Sequence, residues 1–97
     1  MRLELSRAAE SDLADIRDYT IAHYDVEQAI AYLDAVEQAL RRIMDYPESG
    51  VKYPGIEPAI RSVPCGSHRI YYDVTGDVVR IQRVLHKAME AEKWLGN

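Results

Sequence analysis

His68-Arg69-Ile70-Tyr71-Tyr72-Asp73-Val74-Thr75-Gly76-Asp77-Val78-Val79-Arg80-Ile81-Gln82-Arg83-Val84-Leu85-His86 is the stretch that decides the fold. It is rich in Val, Ile, Tyr and Arg, and Thr75-Gly76-Asp77 breaks it with a turn, so it predicts two antiparallel strands, 68–74 and 78–85, joined as a hairpin. Successive side chains point to opposite faces of a strand. In the first strand Ile70, Tyr72 and Val74 therefore share one face, predicted to be the core face, while Arg69, Tyr71 and Asp73 share the other. In the second strand Val79, Ile81 and Leu85 fit one face and Val84 does not, which predicts a bulge or an early strand end near Arg83.

Just upstream, Ala59 to Val63 has the same composition and reads as a third strand. Before it, Pro47, Gly50, Pro54, Gly55 and Pro58 mark a loop, too short and too apolar at Val51, Tyr53 and Ile56 to be a domain linker. The first half of the chain reads as helical. Ala9, Leu13, Ile16, Thr20 and Tyr24 recur at helical spacing behind Ser6, a good N-cap. Asp25 followed by Gln28 resembles a capping box for a second helix, whose stripe is Ala29, Leu33, Val36, Leu40 and Ile43 and which Tyr46-Pro47 and Gly50 must end. Arg2 to Leu5 alternates as a short strand.

The tail from Lys87 to Leu95 places Ala88, Ala91 and Leu95 at helical spacing, but so short a helix must dock to persist in water. The expected fold is α+β, in the order β-α-α-β-β-β with a short C-terminal helix. A helical hairpin would lie on one face of a mostly antiparallel sheet.

With 97 residues, 1–97 is expected to be a single domain, because two cores would each fall near the size at which chains need staples. No apolar run approaches the ~20 residues that span a bilayer, and Leu3 to Asp18 is interrupted by acids where a signal peptide would be apolar, so a cytoplasmic location is expected. The single cysteine, Cys65, can form no internal disulfide, and its setting in Pro64-Cys65-Gly66 reads as a turn rather than a reactive thiol. No cofactor and no metal site is implied, since no Cys/His group has zinc-ligand spacing. The net charge of −4 argues against sequence-specific nucleic-acid binding. Charge is unevenly spread: 7–48 holds ten acids against four arginines, net −6, whereas 49–97 holds seven bases against five acids, net +2. Two halves so different should face different partners.

Three ordered blocks carry a family resemblance. The first is Leu5-Ser6 followed by Ala9, Asp12-Leu13, Ile16 and Tyr19; the second is Pro47-Glu48-Ser49-Gly50 followed by Ile60-Arg61. The third, and the most specific, is Arg69-Ile70-Tyr71-Tyr72 followed by Val79-Arg80-Ile81-Gln82-Arg83-Val84-Leu85-His86. Together they resemble the ParE branch of the RelE/ParE superfamily across nearly the whole chain. The resemblance implies a plasmid- or chromosome-borne toxin, neutralised by a ParD-like antitoxin in a hetero-oligomer, that binds DNA gyrase without catalysing a reaction. A RelE-type, ribosome-dependent mRNA endoribonuclease is the alternative, and a degenerate toxin that keeps only antitoxin binding is a third.

RNA cleavage needs a base for the 2′-hydroxyl, an acid for the leaving oxygen and cations for the phosphate. The candidates for that chemistry are His86, Arg61, Arg83 and Tyr71, with Arg69 as a further clamp. For contact with an antitoxin or target the candidates are Arg61, Arg69, Tyr71, Arg83, His86, Lys87 and Trp94. A histidine closing a strand is more often structural, which favours contact over catalysis. Trp94 would either pin the tail to the domain or stand out as a hot spot for a partner. His23 fits a helix C-terminus, His68 reads as a solvated residue in a turn or at a strand start, and Tyr19, Tyr24 and Tyr32 read as packing residues of the helical hairpin.

Overall fold

In a computed structural model, which describes residues 1–56 and 59–95 and only the backbone of Glu92, the chain runs β1 (Arg2–Leu5), α1 (Arg7–His23), α2 (Val26–Asp45), β2 (Val51–Tyr53), β3 (Ile60–Cys65), β4 (His68–Thr75) and β5 (Val78–His86), then one 3-10 turn, Ala91–Lys93. The strands form a sheet in the order β1-β5-β4-β3-β2, with β1 parallel to β5 and every other pair antiparallel. This is the expected α+β arrangement of a helical hairpin on a mostly antiparallel sheet.

Both helices start at the residues whose side chains can cap them. Ser6 Oγ accepts the Ala9 N–H at 2.9 Å, and Asp25 Oδ1 accepts the Gln28 N–H at 2.7 Å. The helices then bury Ala9, Ile16, Val36, Ala39, Leu40 and Ile43 against Ile70, Tyr72, Val79, Ile81 and Val84 of the sheet. Tyr24, expected on the buried stripe, is instead the C-cap of α1 and is 68% exposed, since the helix stops one residue before it. Val74 also leaves the core: it is 37% exposed near the Thr75 end of β4.

The bulge expected near Arg83 is present and changes which side chains are inside. Across the hairpin Tyr72 faces Ile81, but Tyr71 faces Arg83, so Gln82 is an extra residue in β5. An inserted residue reverses the phase of alternation. Val79 and Ile81 before it, and Val84 after it, therefore face the helices, whereas Leu85 faces the other side. This corrects the grouping of Leu85 with Val79 and Ile81.

That other side carries a second, smaller core. Ile60, Tyr71, Leu85, Ala91 and Leu95 are buried together there, so the tail docks rather than frays, and its short helix is a single 3-10 turn. Tyr71, assigned to the face opposite the core, is only 6% exposed because the tail lies over it. The segment read as a loop also contains a strand: Val51–Tyr53 pairs with Ile60–Ser62 of β3. Three residues between Gly50 and Pro54 are too few to show a period, and the free edge of β3 supplies the hydrogen bonds. Pro58, placed in that loop by sequence, lies outside the described residues.

The loop after α2 is tied to the sheet by two side chains. Tyr72, with no exposed surface, donates to Pro47 O at 2.8 Å and accepts the Gly50 N–H at 3.0 Å. Arg61 Nη1 donates to Glu48 O and Gly50 O, both at 2.9 Å. A Cβ on Gly50 would collide with the Tyr72 hydroxyl and ring. Gly50→Ala is therefore expected to destabilise the fold by about 2 kcal/mol, in the usual range for overpacking, measured as a lower urea midpoint at unchanged slope; an unchanged midpoint would contradict this packing.

Candidate functional site

The site is assembled by α1, by the first half of α2 and by the ends of β4 and β5. β1 pairs only with Val78–Ile81, so the edge of β5 beyond Ile81 has no strand beside it. The start of α1 takes that place. Ser6 N–H donates to Ile81 O at 2.9 Å and Ser6 Oγ donates to Gln82 O at 2.6 Å, which fixes the bulge. One helical turn on, Asp12 accepts both Arg83 Nε and Nη2 at 2.8 Å and the Val84 N–H at 2.9 Å. Both side chains are mostly covered, 18% exposed for Arg83 and 12% for Asp12. The hydrogen bond to Asp12 raises the Arg83 pKa further, against the opposing effect of burial. Trp94 then sits over the guanidinium, 5.3 Å from its carbon to the ring centroid. Trp94 is thus both tied to Arg83 and 46% exposed.

Farther along the same face of α1, and between it and α2, lies a cleft of about 700 Å³ lined by Asp15, Tyr19, Tyr24, Tyr32, His68 and His86, among others. Its floor is a hydrogen-bonded cluster. Tyr32 Oη donates to Cys65 O at 3.0 Å, accepts the Ser67 N–H at 3.1 Å and lies 2.6 Å from His68 Nδ1. A carbonyl can only accept, so the phenol proton belongs to Cys65 O and His68 Nδ1–H donates to Tyr32. Nε2 of His68 is left as an acceptor. His86 has the opposite tautomer, because the Ala88 N–H donates to its Nδ1 at 3.1 Å. The two imidazoles meet edge to face with centroids 5.4 Å apart. Gly66, at φ +57°, makes the turn beneath them, and a Cβ there would strike the Tyr32 ring at 2.7 Å.

His68 thus starts β4, one of the two places expected for it, but is half-buried rather than solvated. Burial chiefly, and repulsion from His86 next, hold its pKa below the ordinary value, against a weaker opposing pull from Asp12. Burial likewise pushes the Cys65 thiol up, which fits the reading of an inert cysteine.

Of the candidate ribonuclease residues, the register sets Tyr71 and Arg83 opposite each other across β4 and β5, while Arg61 and His86 lie apart from them. Arg61 is bound to loop carbonyls near β2, Tyr71 is buried under the tail, Arg83 is closed by Asp12 and Trp94, and only His86 reaches the cleft. Arg69 is turned to Ser62 Oγ at 3.1 and 3.2 Å, and Lys87 is exposed at the start of the tail. Sequence reasoning missed the pairing of His68 with His86. A regular hairpin that pairs Thr75 with Val78 would set His68 opposite Leu85; the extra residue at Gln82 moves it opposite His86. The bulge was the signal that could have found it. Among the described residues no group of three or more His, Cys, Asp or Glu side chains could hold a metal ion, and no helix is long and apolar enough to cross a membrane.

Helices close one side of the sheet and a tail closes the other, which defines a small α+β fold. A chain from a chromosomal ParDE toxin-antitoxin system of P. aeruginosa superposes with a TM-score of 0.76 at 20% identity, over 89% of this chain and 95% of that one. Residues 3–91 match the family model described as the ParE toxin of type II toxin-antitoxin system, parDE. Toxin ParE1 of Mycobacterium tuberculosis (strain ATCC 25618 / H37Rv) is 36% identical over 93 residues, 95% of each chain. Toxin ParE1 of Caulobacter vibrioides is 37% identical over 92 residues, again 95% of each. The chain belongs to the ParE toxin family of type II toxin-antitoxin systems.

The lowered His68 pKa sets a pH dependence. The unfolded chain, with His68 near 6.5, binds a proton that the folded chain resists, so stability must fall as pH drops below about 6.5. Urea midpoints at pH 7.5 and pH 5.5 should show that loss, and His68→Gln should reduce it. An equal loss in the variant would mean that other groups set the slope.

Proposed function

We propose that this toxin is neutralised by a ParD-like antitoxin in a hetero-oligomeric complex and acts in the cytoplasm by binding DNA gyrase, without catalysing a reaction. The placement of Arg83 carries this reading. A phosphate clamp needs a guanidinium whose donors are available, and Arg83 gives two of them to Asp12 while Trp94 covers its plane. Arg61 is occupied by backbone carbonyls, and the chain's net charge of −4 adds no field for RNA.

The surface suits contact better. Tyr19, Tyr24, Val26 and Ile30 are each more than half exposed along the helical hairpin, in the acidic half of the chain. A segment that folds onto the hairpin would cover them, as antitoxin tails do in the family that the sequence resembles. Trp94 and Lys87 stand at the opposite, mildly basic end of the chain, a separate surface for a target. Deleting the tail would strip Ala91 and Leu95 from the second core, so loss of toxicity on truncation would report folding as well as contact.

Purified gyrase should lose supercoiling activity when the chain is added, and His86→Ala should inhibit as well as the unaltered protein. Cells expressing the chain should stop growing and raise SOS signalling, and the product of the adjacent gene should restore growth. New cleavage sites within codons by primer extension, with supercoiling untouched, would replace this reading with the endoribonuclease one. Unimpaired growth on verified expression would leave a degenerate toxin.

A further inference from the structure

We infer that the tyrosine-lined cleft is a receptor for one arginine side chain of the antitoxin, whose guanidinium meets Asp15 and stacks on the tyrosine rings; the identity of the partner rests on the function proposed above. Asp15 is the first reason. Three acids, Asp12, Asp15 and Asp18, follow one another along α1. Asp12 holds Arg83 and Asp18 holds Arg17 at 2.9 Å, but Asp15 has no ion-pair partner among the described residues, and it lines the cleft.

The aromatic walls are the second reason. Tyr19 is 60% exposed and Tyr24 68%, large values for rings at the mouth of a cleft, and Tyr32 closes the base. Ring faces attract a cation, and a guanidinium, unlike an ammonium, also stacks flat on them. The third reason is the set of acceptors. With Nδ1–H given to Tyr32, His68 keeps Nε2 as a lone pair, and the Asp15 carboxylate lines the same cleft, so acceptors are at hand for a group of several donors.

Charge excludes an acidic occupant. Among the described residues no lysine or arginine lines the cleft, and the segment 7–48 that forms most of it carries a net −6. An arginine from a partner lying along the hairpin would bring the missing cation and fix the register of that partner.

The chain, titrated with N-acetyl-arginine methylamide and followed by NMR, tests the pocket without any antitoxin. Saturable shifts are expected at Tyr19, Tyr32 and His68, with the neutral citrulline analogue binding weaker by about tenfold or more. Asp15→Asn should lower arginine affinity about as much in a chain whose spectrum is otherwise unchanged. Equal binding of arginine and citrulline, equal binding of a lysine analogue, shifts elsewhere, or an unaffected Asp15→Asn variant would overturn the pocket. In a second arm the protein encoded beside this gene is bound to the unaltered chain and to Asp15→Asn, and a loss of about tenfold or more is expected. An unaltered affinity there would overturn the assignment to the antitoxin. Failure of the unaltered chain to form the complex would instead sink the antitoxin reading, and the amino-acid titration would still decide the pocket.

Discussion

The carboxylate of Asp12 holds together the parts of this fold that strand pairing leaves separate. β1 is only four residues long, so most of the β5 edge has no strand beside it, and an open edge invites pairing with other chains. Asp12 supplies the Val84 N–H with an acceptor and closes Arg83 in the same contact. A partly buried ion pair is stable only when its donors and acceptors are satisfied, and here the guanidinium gives two donors to one carboxylate while a ring covers its face.

The bulge at Gln82 is the second consequence of that corner. It is held from below by Ser6, and it turns Val84 inward and Leu85 outward. Without the phase change the outer core would lose Leu85, leaving Ala91 and Leu95 little to dock on. The same extra residue sets His86 opposite His68 and so shapes one wall of the cleft. One inserted residue thus links the tail on one side of the sheet to the polar cleft on the other.

Much of the fold was legible because the period of apolar residues is a local property. Ser6 and Asp25 announced the helix starts, the stripe of α2 named four of its buried residues but missed Ala39 and included the half-buried Leu33, and the Thr75-Gly76-Asp77 turn paired the last two strands. The misfit of Val84 located the bulge, although its effect on Leu85 required knowing that an inserted residue reverses alternation. The short strand Val51–Tyr53 was hidden, since it forms only because β3 offers it an edge. The site was less legible. Arg83 looked like a free cation because Asp12 lies 71 residues away in sequence. His68 looked solvated because Tyr32, which covers it, lies 36 residues away on α2. Interactions between distant segments have no period, so sequence alone could name these residues but not their partners.

If Arg83 is held for structure rather than for contact with RNA, its energetic tie to Asp12 must be measurable and separate from toxicity. A double-mutant cycle of Asp12→Ala and Arg83→Ala, with urea unfolding and growth inhibition recorded for each variant, tests this directly. Each single substitution should cost about 3 kcal/mol, with a coupling of about 1–3 kcal/mol between them, and toxicity should follow the folded fraction alone. An Arg83→Ala protein as stable as the unaltered chain but without toxicity would contradict it.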